Sequence, residues 1–172
     1  MLSGLRLHGF TLIELLIALA IGSFLVMLAL PGFTTWIADT QVQAGAETVA
    51  TGFRFALTEA IKRNQNVAVV LDNTSGTGGW VAQIAGPVDL QHGHFAEGAA
   101  KASFAVEPAG ATTVTFSGIG QITPNDDGTS TITRVRVTSA VSGTRELDVV
   151  VVNQRVKVCD PAWPASDPRG CP

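Results

Sequence analysis

The chain has 172 residues and a net charge of −3. Setting aside one apolar stretch of about twenty residues leaves roughly 140, enough for a single soluble domain with one core. So small a net charge gives no global case for a nucleic-acid protein. The Ser, His and Asp residues show no spacing for nucleophilic catalysis, and there is no phosphate-cradling glycine loop. No enzyme activity, cofactor or metal is therefore expected.

Residues 1–9 form a short polar leader, too poor in apolar residues to be the core of a secretory signal. A small-x-small site ending at Ala20 mimics a signal cleavage site, but the apolar run continues to Leu30. From Phe10 to Leu30 the chain is apolar except for Thr11, Gly22, Ser23 and one carboxylate, Glu14. A helix of about twenty such residues rises roughly 30 Å, enough to cross a bilayer core. A lone ionisable group in such a span costs on the order of 2.5–3.5 kcal/mol, so by default it marks function. The bland alternative is a simple anchor with an incidental Glu14. Arg6 and the amino terminus put the short side in the cytoplasm by the positive-inside rule. Everything after Pro31 is then expected outside the bacterial inner membrane, in the periplasm.

The string Gly9-Phe10-Thr11-Leu12-Ile13-Glu14, with the apolar run and Pro31 behind it, closely resembles the processing site of type IV prepilins and pseudopilins. The resemblance implies cleavage between Gly9 and Phe10 by a membrane-embedded prepilin peptidase, and methylation of the new terminus on Phe10. It also implies that Glu14 pairs with the terminal amine of an adjacent subunit. Electrostatics makes the pairing reasonable, because cleavage frees a cationic amine near an acid that hydrocarbon would otherwise leave unpaired. Such a contact sets register as much as affinity.

Beyond Pro31 an apolar stripe recurs at three or four residues: Phe33, Ile37, Val42, Ala46, Val49, Phe53, Leu57 and Ile61. Pro31 should kink this continuous pattern instead of ending it. Gly45 and Gly52 each weaken the helix by up to about 1 kcal/mol, and it should stop near Asn64-Gln65-Asn66. The period then changes to two. Strands are predicted at 67–71, 80–84, 103–106, 112–116, 131–138, 145–152 and 155–158, with the clearest hairpin turn at Ser142-Gly143. Trp80 is expected in the core and Trp163 exposed. His92-Gly93-His94 is expected to be a polar loop, since two ligands do not complete a metal site. The fold class is thus α+β, a long amino-terminal helix packed on an antiparallel β-rich domain.

Cys159 and Cys171 bracket a proline-rich tail. In a periplasmic domain so close a pair reads as a disulfide, with a two-cysteine metal site as the competing reading. Closing the loop contributes up to roughly 3 kcal/mol, less here because Pro161, Pro164 and Pro168 already stiffen it. Alternation puts Arg134 and Arg136 on one face of their strand, and Arg155 and Lys157 on one face of theirs. If the strands are neighbours, four bases line one solvent face, with Arg169 extending it, and such a patch can hold phosphates. The bland alternative is that these are solvated bases that guard strand edges, since a short basic stripe is common without nucleic acid.

The body resembles the GspH/FimT group of minor pilins and pseudopilins, through Val114-Thr115-Phe116, the Gly120 turn, the late hairpin, Arg155-Val156-Lys157-Val158-Cys159-Asp160-Pro161 and Asp167-Pro168-Arg169-Gly170-Cys171. The tail looks like the FimT side, which serves type IV pili. The resemblance implies a minor pilin whose partners are prepilin peptidase, the inner membrane, other pilin or pseudopilin subunits and, during uptake, double-stranded DNA. The alternative is a GspH-type minor pseudopilin of type II secretion. The Gly-Arg-x-Arg motif tied to DNA uptake reads Gln154-Arg155-Val156-Lys157 here, so one bidentate phosphate contact becomes a point charge. The expected organisation is a leader at 1–9, a transmembrane assembly segment at 10–30, an amphipathic half-helix at 31–65, a periplasmic β domain at 66–158 and a disulfide-closed tail at 159–172.

Overall fold

The computed structural model describes residues 10–74, 77–84, 88–152 and 154–172, with Pro31 described by its backbone. The chain divides into two units, Met1–Thr34 and Thr35–Pro172. One helix, α1 (Leu12–Arg63), contributes to both. Helical structure is continuous through Pro31, which therefore does not end it.

In the first unit every described residue from 10 to 30 is exposed, leucines, isoleucines and phenylalanines included. A helix this long and apolar meets the requirement for crossing a bilayer. Its polar hydroxyl is satisfied internally, since Ser23 Oγ donates to the Leu19 carbonyl at 2.7 Å. Ser23 thus carries no unpaired donor into an apolar medium.

In the second unit the helix buries Ala38, Val42, Gly45, Ala46, Val49, Ala50, Gly52, Phe53, Ala56 and Ala60. The expected stripe is correct in its middle and wrong at its ends. Phe33 and Ile61 are exposed, Ile37 sits at the exposed margin, and Leu57 is half-buried. Small residues take the buried face because two sheets approach the backbone closely. A Cβ on Gly52 would lie 2.5 Å from the Trp80 ring, and one on Gly45 would lie 3.1 Å from Phe104. The helix ends at Asn64, whose φ of 51° gives the left-handed cap for which glycine or asparagine is favoured.

The strands are β1 (Val67–Asp72), β2 (Gly79–Ile84), β3 (Val88–His94), β4 (Ala102–Glu107), β5 (Thr113–Phe116), β6 (Ile122–Thr123), β7 (Arg134–Ser139), β8 (Leu147–Val152) and β9 (Arg155–Cys159). They form a five-stranded sheet in the order β3-β2-β1-β5-β6 and a four-stranded sheet in the order β4-β7-β8-β9. All strand pairs are antiparallel. The fold is therefore α+β, and its sheets share one core with the helix. Phe53 meets Phe116 edge-on at 6.3 Å, while Phe95 stacks on Phe104 at 3.8 Å. Trp80 is buried, as its place after a glycine-rich turn implied.

Three strand expectations need correction. His92 and His94 belong to β3, an edge strand, and not to a loop; a register shift opposite Ala82/Gln83 hides its alternation. β7 starts at Arg134, since Thr131 only bridges Thr113 in parallel. β8 starts at Leu147, because Arg145 is held by the helix instead: its amide donates to Asp39 Oδ1 at 2.9 Å and its guanidinium to Gln43 Oε1 at 3.0 Å. The crossover between the sheets is pinned by buried Asn125. Its Oδ1 accepts from Thr115 Oγ1 and its amide donates to the Thr113 carbonyl.

Candidate functional site: helix start, tail and basic sheet face

At the start of α1, Thr11 is the N-cap. Its Oγ1 accepts from the Glu14 amide at 3.3 Å, and its carbonyl accepts from the Leu15 amide at 3.2 Å. Glu14 therefore occupies the third helical position, in the first turn, where the helix dipole favours an anion. Gly9, the expected leader boundary, lies outside the described residues; Phe10 and Glu14 are described and exposed.

In the carboxyl-terminal tail Cys159 and Cys171 form a disulfide, with Cα atoms 5.1 Å apart. The loop it closes is held at its neck by an Asp160–Gly170 bridge and by the Asp160 amide donating to the Arg169 carbonyl at 2.8 Å. Trp163 is exposed and lies flat under Arg169, whose guanidinium carbon is 3.4 Å from the ring centroid. Arg169 also pairs with Asp167 at 3.0 Å. Hydrogen bonds from the Arg169 guanidinium and amide hold the Asp167 carboxyl below its usual range.

The five candidate bases do not form the expected stripe. β7 and β9 are not neighbours, because β8 lies between them. Register still places Arg134, Val150 and Lys157 in one row, and Arg136, Asp148 and Cys159 in the next. The bases thus share a face with Asp148 at its centre, fully buried at 0% exposure. Arg136 grips Asp148 with two hydrogen bonds, at 2.9 and 3.1 Å, and Arg134 Nε approaches it at 3.5 Å. This contact pushes the Arg136 guanidinium further up from its ordinary value. Arg134 also faces Glu107, and Arg136 faces Glu146. Lys157 Nζ donates to the Gly170 carbonyl at 2.7 Å, tying the tail to β9. Arg155 is exposed and has no carboxylate partner among the described residues.

Asp148 is the residue that sequence reasoning missed. The available signal was an acid on the Val150 and Val152 face of a valine-rich strand, opposite a strand with arginine at alternate positions.

Residues 6–30 match the prokaryotic N-terminal methylation motif, and residues 45–155 match the family described as type II transport protein GspH. The chain belongs to the GspH family, a type IV pilin-like family of minor pilins and pseudopilins. Membership and the apolar helix together define a membrane-anchored structural subunit, and imply contacts with other pilin subunits and with prepilin peptidase. Two crystal forms of the type IV minor pilin FimU of Pseudomonas aeruginosa are similar. One shares 20% identity at a TM-score of 0.47, covering 76% of this chain and 94% of that one. The other shares 18% identity at 0.46, covering 72% and 98%. No curated protein gives a match.

Proposed function

We propose that the chain is a FimT-type minor pilin, cut between Gly9 and Phe10, methylated on Phe10 and built into a type IV pilus. Residues 10–30 hold it in the inner membrane, with the residues beyond Pro31 in the periplasm. Glu14 docks against the terminal amine of the neighbouring subunit. The observation that carries this reading is the pairing of a methylation motif at 6–30 with a GspH-type body at 45–155 in one chain whose residues 10–30 are all exposed. The disulfide-closed Cys159–Cys171 tail favours the pilus. The family's description as a type II transport protein favours the second reading, a GspH-type minor pseudopilin.

Within the first reading, Arg155 and Lys157 are the residues to hold phosphates of double-stranded DNA during uptake, with Arg169 beside them on the tail. Arg134 and Arg136 are committed to Asp148 and contribute little. Two bases give a modest, salt-sensitive, sequence-independent affinity.

Mass spectrometry of protein recovered from native envelopes tests the core of the proposal: the expected product begins at methylated Phe10, and an intact Met1 or a cut elsewhere overturns it. Deletion then separates the readings. Loss of piliation or DNA uptake with normal secretion supports the minor pilin; the reverse supports the pseudopilin. In a titration of the full-length chain in detergent with labelled duplex, Arg155→Ala/Lys157→Ala should weaken binding, and unchanged binding removes these residues from the proposal.

A further inference from the structure

The chain has three histidines, and two of them, His92 and His94, sit on β3 at i and i+2. Period-two geometry puts both side chains on one face of the strand. Both are exposed, and their ring centroids are 5.2 Å apart with planes inclined at 60°. Across the sheet His92 is in register with Val81 and Val70, while His94 is in register with Gly79 and Asp72. A cleft of about 210 Å³ opens beside Gly79, bordered by His92, His94, Thr77 and Asp72. A Cβ at Gly79 would collide with the Gly93 carbonyl, which ties this glycine to the close approach of β2 and β3.

We propose that His92 and His94 together chelate a divalent transition-metal ion, Zn2+, Cu2+ or Ni2+, at this open cleft. Imidazole is a preferred ligand for all three ions. The spacing fits the chemistry. A ligating nitrogen lies about 2.1 Å from zinc, which puts each ring centroid about 3.2 Å from the metal. Two such rings at a tetrahedral angle have centroids about 5.2 Å apart, the separation found between His92 and His94. Asp72 adds negative charge to the wall of the cleft. Its Oδ1 accepts from the Thr74 hydroxyl at 2.6 Å and the Thr74 amide at 3.0 Å, and these bonds hold its carboxyl below the usual range. Among the described residues no third His, Cys, Asp or Glu joins the pair in a metal cluster. The pair supplies two ligands, one fewer than a catalytic zinc site, and leaves the remaining positions of the ion to water. It lies on an edge strand, whose free side leaves room for those waters.

The test uses the full-length chain in detergent, prepared without a polyhistidine tag. Calorimetric titration with Zn2+ is expected to give one site per chain, and His92→Gln and His94→Gln each to weaken it at least about tenfold by breaking the chelate. Cu2+ bound to the wild-type chain should show an electron paramagnetic resonance spectrum with two coordinated nitrogens, and fewer in either variant. His8→Gln should leave binding unchanged. Circular dichroism checks that the variants keep their fold, as exposed edge positions should. Absence of Zn2+ uptake by the wild-type chain, wild-type affinity in His92→Gln/His94→Gln, or loss of the site in His8→Gln would each overturn the proposal.

Discussion

At the scale of single residues, the fate of each base depends on what faces it across the sheet. Asp148 is fully buried and holds Arg136 by two hydrogen bonds. Truncating Arg136 leaves that carboxylate, among the described residues, with Arg134 at 3.5 Å as its one ion-pair partner. Hydrogen bonds to charged groups contribute about 1.5–3 kcal/mol, and an orphaned buried acceptor costs at least as much. Arg136→Ala should therefore lower stability by about 2 kcal/mol or more. Asp148→Asn should cost less, because the amide keeps one acceptor and the freed guanidinium can reach water. Arg155→Ala, at an exposed position, should fall within about 0.5 kcal/mol of wild type. Denaturant titration of the three full-length variants checks the order. Equal losses for Arg136→Ala and Arg155→Ala would mean that the Asp148 pairing does not contribute to the native state.

At the scale of elements, helix α1 shows where reading residue types stops being informative. Its existence, its apolar first half and the Val42–Phe53 part of its buried stripe followed from spacing alone, because large side chains at three- and four-residue intervals need a partner surface. What spacing could not show is that two sheets press on the helix, so alanines and glycines occupy most of the interface. Gly45 and Gly52 look like defects when only helix propensity is weighed. In the fold they are clearance for Phe104 and Trp80. The division of the strands into two sheets depends on long-range pairing that no local pattern encodes, whereas β7, β8 and β9 pair in chain order and the first of their hairpins was legible at Ser142-Gly143. The disulfide partners, by contrast, were legible because the chain has just two cysteines. Gly52 and Gly45 should respond differently to a methyl group. Alanine for glycine gains up to about 1 kcal/mol in helix propensity. At residue 52 the new Cβ would lie 2.5 Å from the Trp80 ring, and overpacking of that kind costs about 1–3 kcal/mol. Gly52→Ala should destabilise by about 1–2 kcal/mol net, and Trp80→Leu in that background should recover part of the loss. Gly45→Ala, at 3.1 Å from Phe104, should be close to neutral. Thermal melts of the three variants decide, and a stabilised Gly52→Ala would mean that the helix and the first sheet are less tightly apposed.

For the molecule as a whole, acid stability depends on carboxylates spread along the chain. Glu59 accepts a hydrogen bond from Arg63 near the end of α1, Asp72 from Thr74 after β1, Asp127 from Thr129 in the crossover, and Asp167 from Arg169 in the tail. Each of these bonds is the largest influence on its acid, and all four acids are held below their ordinary range. A carboxyl whose folded value is depressed adds stability that is fully present above its unfolded value, about 3.9 for Asp and 4.3 for Glu. That stability drains away as pH falls through the lower folded value. Melting temperature should therefore stay nearly level from pH 7 to about 5 and then fall steeply below about pH 4. Full-length protein in a non-ionic detergent, followed by circular dichroism from pH 7 to 2.5, gives the curve. Replacing Asp127 or Asp167 with Asn removes a titrating group while keeping an acceptor oxygen, so the acid limb should become shallower in each variant. A melting temperature that stays level down to pH 2.5, or a limb unchanged by both substitutions, would show that these four bonds do not link protonation to folding. A decline confined to pH 7–5 would assign the acid response to groups other than these carboxylates, since none of the four gains a proton in that range.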